Sequence, residues 1–151
     1  MDLKRKDGRE PGKLGSNRFH EAAWVVGPEE HLKIADDVWI GAFCVIDAVH
    51  DVIEIGEGSV IASGAHIYTH STVRRTRGDA EVIDHAPVKI GHHVSICANA
   101  VVLHGVTIGD RAVVGAGAVV STGSIIGTGE VWGGVPARGI SPRWAPAFDT
   151  K

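Results

Sequence analysis

Large aliphatic residues recur at every sixth position from Ile90 through Ile96, Val102, Ile108, Val114, Val120 and Ile126, and the period then lands on Trp132. The next position in each unit is mostly small: Gly91, Cys97, Gly109, Gly115, Ser121, Gly127. Four places after the aliphatic comes a second inward position, held by Val94, Ala100, Val106, Ala112 and Ala118. An α-helix repeats its apolar face every 3.6 residues and a strand every 2, so neither produces this pattern. A short strand that bends at a small residue every six positions does. Three such units close a triangular coil of about 18 residues, and successive coils stack with their aliphatics in ladders up the interior. The pattern predicts an all-β protein, a parallel β-helix of hexapeptide repeats.

The same spacing divides the rest of the chain. Ile34, Ile40 and Ile46 form a first block, but Ile55 follows nine residues later, and the extra segment contains His50 and Asp51. Ile55, Ile61 and Ile67 form a second block. From about 74 to 87 the chain is polar and charged, which predicts an excursion loop leaving the body before the period resumes at Ile90. Three regions result: an N-terminal arm and capping segment over 1–30, the repeat domain over 31–140, and a tail over 141–151 that holds Trp144 and Phe148. Arm and tail are expected to cover the open ends of the stack.

Composition narrows the function classes. With 151 residues, 44% hydrophobic content, only 5% aromatic and 20 glycines, the core is a thin column of aliphatics in one domain. A net charge of -3 gives no electrostatic case for nucleic acid. No apolar run approaches the ~20 residues of a membrane span, and the basic start is followed by no apolar signal stretch, so a cytoplasmic location is expected. Cys44 and Cys97 fall at small positions of the repeat, without CxxC spacing, and read as reduced packing residues.

Several segments together resemble the hexapeptide-repeat acyltransferases. These are Ile67-Tyr68-Thr69-His70 ahead of the excursion, Ala86-Pro87-Val88-Lys89-Ile90-Gly91 after it, Gly105-Val106-Thr107-Ile108-Gly109-Asp110, Val114-Gly115-Ala116-Gly117-Ala118-Val119-Val120, and Gly134-Val135-Pro136-Ala137-Arg138. The resemblance covers about Ile34 to Ile140 and is nearest to bacterial surface-polysaccharide and sugar O-acetyltransferases. It implies a left-handed coil, acetyl-CoA as acyl donor without a metal, and a homotrimer with sites between subunits. It also implies a sugar, polysaccharide-precursor or nucleotide-sugar acceptor.

Acyl transfer from a thioester needs a base to take the acceptor's proton as it attacks, and histidine suits that task near neutral pH. Among nine histidines, His70 at the mouth of the excursion matches the family's catalytic residue. His66, pointing outward beside Ile67, and His85, near the end of the excursion with Asp84 beside it, are candidates for lining the acceptor pocket. Asp47 and Glu54, flanking the slipped spacing, are candidates for orienting His70 or meeting substrate. The family's cofactor contacts fall on Ala98, Gly115, Ala116, Ser121 and Thr122, where small side chains let a pantetheine arm lie close, and Arg138 resembles the residue that meets the CoA phosphates. Thr122 stands where many relatives carry a basic residue, and Ser95 where many carry tryptophan. Arg74, Arg75 and Arg77 offer either an anion contact or a solvated patch.

Three other readings share this scaffold. An N-acetyltransferase on an amino sugar differs only in the acceptor atom. A γ-carbonic-anhydrase-like metalloprotein needs three protein ligands to its zinc, and Asn99 occupies the place before His104-Gly105 where one is required. A non-catalytic assembly scaffold needs neither His70 nor Arg138.

Overall fold

The structure, a computed structural model, describes residues 17–140; the first sixteen residues of the expected arm over 1–30 and the tail with Trp144 and Phe148 lie outside the described residues. Short parallel strands build three faces, stacked in about five coils as a β-solenoid consistent with the expected left-handed β-helix. Face one runs through Arg18–Phe19, Trp39–Ile40, Val60–Ile61, Ser95–Ile96, Val113–Val114 and Val131–Gly133. Face two runs through Trp24–Val26, Val45–Asp47, His66–Tyr68, Val101–Val102 and Val119–Val120. Face three runs through Leu32–Ile34, Ile53–Ile55, Val88–Ile90, Thr107–Ile108 and Ile125–Ile126.

The ladders of the sequence pattern are the core. Ile40, Ile46, Ile61, Ile67, Ile96, Val102, Val114 and Val120 are fully buried, and the second inward positions Ala65, Ala100, Ala112 and Ala118 are equally sealed. Each large aliphatic contributes roughly 1.5–3 kcal/mol by leaving water. Register places like over like: Ile40 on Ile61, Ile61 on Ile96, Ile96 on Val114. The glycine beside an aliphatic is a steric requirement at Gly56, where a Cβ would stand 2.5 Å from the backbone carbonyl of Gly91 in the next coil. Cys44 and Cys97 are both free thiols; burial pushes each above its ordinary pKa, and Cys44 Sγ donates to the Ala62 carbonyl at 3.1 Å.

Two features add detail to the expected layout. Coil one already includes Arg18–Phe19 and Trp24–Val26, which pair with Trp39–Ile40 and Val45–Asp47, so the expected boundary after residue 30 cuts through that coil. The period there is masked because Val25 and Ile34 lie nine residues apart, with a single 3-10 turn at Glu29–His31 between them. The excursion, expected as a loop from about 74, leaves the body at His70 and is a small hairpin: His70–Ser71 pairs antiparallel with Asp84–His85, with one helical turn at Val73–Thr76. Its polar residues satisfy one another locally, through Asp79 N–H to the Arg74 carbonyl at 2.8 Å and ion pairs Arg74–Asp84 at 2.9 Å and Arg77–Asp79 at 2.8 Å.

Departures from the six-residue spacing fall at one place. Val25 to Ile34 and Ile46 to Ile55 are nine apart, and Ile67 to Ile90 twenty-three, all at the corner between faces two and three. Face three nevertheless closes over the excursion, because Val88, Lys89 and Ile90 pair directly with Ile53, Glu54 and Ile55. The irregular chain is therefore extruded along a single edge of a regular prism.

Candidate active site

That edge gathers His50, His70, His85 and His104, while His20, His92 and His93 lie at the other corners. Asp47 ends its face-two strand with Tyr68 directly above it, and Thr69, fully buried, donates through its hydroxyl at 2.9 Å and its N–H at 3.2 Å to the Asp47 carbonyl. The next residue, His70, is thereby held over the slipped segment. Its Nδ1 is buried and lies 4.0 Å from Asp47 Oδ1, beyond hydrogen-bond range, and it has no other partner. The carboxylate meanwhile accepts from the Val49 N–H at 3.1 Å. The His50 ring packs against that of His70, centroids 4.5 Å apart and planes tilted by 57°.

His66 and Tyr68 point outward from the same strand, and His66 Nδ1 meets the Tyr68 hydroxyl at 2.9 Å, with the two rings edge to face. Burial, and then the Asp47 charge, raise the Tyr68 hydroxyl above its usual pKa. His85 stands opposite His70 in the hairpin register, but its Nδ1 is engaged by Asp51 Oδ2 at 2.9 Å. Burial works to raise the Asp51 carboxyl; the hydrogen bonds from His85 and the Val52 N–H, with the charges of His85 and His31, outweigh it and hold that group below the ordinary carboxylate range.

Glu54 does not join this group. It lies on face three, between Lys33 and Lys89 in register and 3.4 Å from Lys33 Nζ, because the corner after Asp51 turns the chain away from His70. The residues expected to hold the cofactor divide between two edges. Ala98, Gly115 and Ala116 stack at the corner between faces one and two, where the Gly117 N–H meets the Ala98 carbonyl at 2.9 Å. Arg138 follows the same corner of the last coil, exposed, its Nη1 donating to the Ala137 carbonyl at 2.7 Å. Ser121 and Thr122 lie instead on the histidine edge, one strand of face two away.

Three members of that edge, His104, His50 and Asp51, were not among the candidate site residues. His104 Nε2 lies 3.4 Å from Thr122 Oγ1; the signal was available, since residues 18 apart occupy the same corner of successive coils. The slipped spacing pointed to His50 and Asp51, but not to their contacts with His70 and His85. Among the described residues no three His, Cys, Asp or Glu side chains are grouped to hold a metal ion, and no helix is long and apolar enough to cross a membrane.

A parallel solenoid of hexapeptide repeats is an architecture shared with known transferases. The bacterial transferase hexapeptide family, in its six-repeat form, matches residues 87–122, and the hexapeptide repeat of succinyl-transferase matches residues 32–69. A hexapeptide-repeat acetyltransferase from Vibrio cholerae O1 biovar eltor, solved with acetyl coenzyme A, is 29% identical, with 83% of this chain aligned to 70% of that one at a TM-score of 0.64. A maltose O-acetyltransferase from Clostridium difficile 630 is also 29% identical, over 80% of this chain and 70% of its own, at 0.55. An N-acyltransferase from Bacillus cereus, 21% identical over 83% of this chain and 68% of its own at 0.70, shares the fold alone. The chain is a hexapeptide-repeat protein with the fold of the hexapeptide-repeat acetyltransferases.

Proposed function

We propose that the protein transfers an acetyl group from acetyl-CoA to a hydroxyl of a sugar or polysaccharide precursor, with His70 as general base. The observation that carries this reading is the placement of His70, its Nδ1 buried on the Asp47 side at the mouth of the excursion. If Asp47 closes the 4.0 Å gap when substrates bind, Nδ1–H is held and Nε2 is left to accept the acceptor's proton. The acceptor oxygen then attacks the thioester carbonyl, and the C–S bond breaks as the tetrahedral intermediate collapses. The departing thiolate takes its proton from the imidazolium, releasing CoA and the acetyl ester.

Homotrimer formation completes this proposal. The two edges that divide the expected cofactor residues are separated by face two within one chain. Packing of copies side by side sets the Ala98–Gly115–Ala116 edge of one against the His70–Ser121–Thr122 edge of the next, with a groove for the pantetheine arm between them. Exposed apolar side chains support such packing, among them Trp24 at 61%, Trp39 at 49% and Phe43 at 72% exposure. The 29% identity with a maltose O-acetyltransferase favours an oxygen acceptor over nitrogen.

The test is release of free CoA thiol from acetyl-CoA across hydroxyl sugars, amino sugars and nucleotide-sugars. A hydroxyl sugar should give the highest kcat/KM, with the product an ester cleaved by mild base. Turnover only with amino sugars would move the function to N-acetylation, and no saturable acetyl-CoA binding would leave a scaffold.

A further inference from the structure

The segment that breaks the period before Ile55 and the hairpin that breaks it after Ile67 are joined by successive contacts. Asp47 receives Thr69 through its carbonyl, the His50 ring meets that of His70, and Asp51 meets His85 at 2.9 Å. A backbone bond from Val88 N–H to the Val52 carbonyl at 2.9 Å completes the seam, and one from Ala86 N–H to the Thr69 carbonyl at 3.0 Å closes the base of the hairpin. Asp51 is itself fixed, its other carboxylate oxygen accepting from the Val52 N–H at 2.8 Å. His70 and His85 are opposite one another across the two-residue ladder, so whatever anchors His85 anchors the strand that carries His70.

We infer that Asp51 and His85 are positioning residues: their hydrogen bond clasps the excursion hairpin to the slipped coil and so sets the His70 ring between His50 and Asp47. This rests on the reading of His70 as the base, and it moves His85 from acceptor contact to support. The clasp's location favours a local role. With side chains 22% and 53% exposed, an ion pair of this kind adds little to global stability. It spans 34 residues of sequence, however, and ties the hairpin at the ladder position opposite His70. Displacing a catalytic group by about 1 Å costs up to a hundredfold in rate.

The experiment compares Asp51→Asn, His85→Ala, the double variant and His85→Asn with the wild-type chain. Each of the first two should lower kcat by about ten- to hundredfold, with KM for acetyl-CoA and acceptor within about twofold. The double variant should be no slower than the worse single one, because both remove the same contact. His85→Asn, whose amide nitrogen reaches the place of Nδ1, should restore most of the rate lost in His85→Ala. Wild-type kcat in either single variant, losses that multiply in the double, or a loss confined to acceptor KM overturns the clasp.

Amide exchange on the same proteins is independent of turnover. The Ala86 N–H should exchange faster in Asp51→Asn and His85→Ala, while the Cys97 N–H, bonded to the Val114 carbonyl in the core, keeps its wild-type rate. Unchanged exchange at Ala86 overturns the clasp whatever the activity. A wild-type chain without acetyl transfer overturns the proposed function instead, and the exchange rates still decide whether Asp51 holds the hairpin.

Discussion

At the scale of single residues, the proposed chemistry rests on His70 and its neighbours. His70→Ala should lower kcat by ~10²–10⁴, the range expected for loss of a general base, with acetyl-CoA KM little changed, as steady-state kinetics would show. Asp47→Asn should cost on the order of tenfold, since it keeps the shape but removes the charge that stabilises the imidazolium. Asp51 makes a pH prediction whose sign follows from its depressed pKa. The stability it contributes is present above the ordinary carboxylate pKa of about 3.9 and is lost as pH falls through the lower folded value. Thermal midpoints measured from about pH 6 down to pH 2.5 should show an acid limb that is shallower in Asp51→Asn. The role proposed for His70 came from family resemblance and from the chemistry of histidine, not from the repeat. The contacts of His50, His85 and Asp51 were not legible, because they join residues on separate insertions and no repeat dictates where an insertion folds.

At the scale of elements, the six-residue period made the core readable almost residue by residue, since an inward position in so narrow a coil admits only aliphatic or small side chains. Ile40, Ile61, Ile96 and Val114 stack as their spacing requires. The pattern was least legible where counting from one landmark crossed an insertion: Phe19 and Val25 belong to the first coil, and Glu54, although it directly follows the slipped segment, lies on face three away from His70. Deleting Val49, His50 and Asp51 restores the spacing from Ile46 to Ile55 to six. The shortened chain should keep its β-sheet circular dichroism yet lose acetyl transfer, because it lacks the His50 ring that packs on His70 and the Asp51 carboxylate that holds His85. In contrast, Gly56→Ala should lower the melting temperature without touching the site, since the added methyl strikes the Gly91 backbone.

At the scale of the whole molecule, the prism presents three long edges, and self-association is where its separated cofactor residues would meet. Light scattering should give three times the 15.9 kDa chain mass, and Trp39→Glu, which places charge in the exposed apolar surface of face one, should shift the population toward monomer and reduce activity with it. The closure of face three over the excursion has a separate consequence. Because Val88–Ile90 pairs directly with Ile53–Ile55, the excursion lies outside the ladders of the three faces, a cassette rather than a structural course. Doubling the length of a closed loop costs only about 0.6 kcal/mol. Under the proposed function, exchanging residues between Ser71 and Asp84 should change acceptor preference in the CoA-release assay while the clasp and ladders stay in place. A scaffold of this kind diversifies by substituting one removable part, and its folding need not be renegotiated each time.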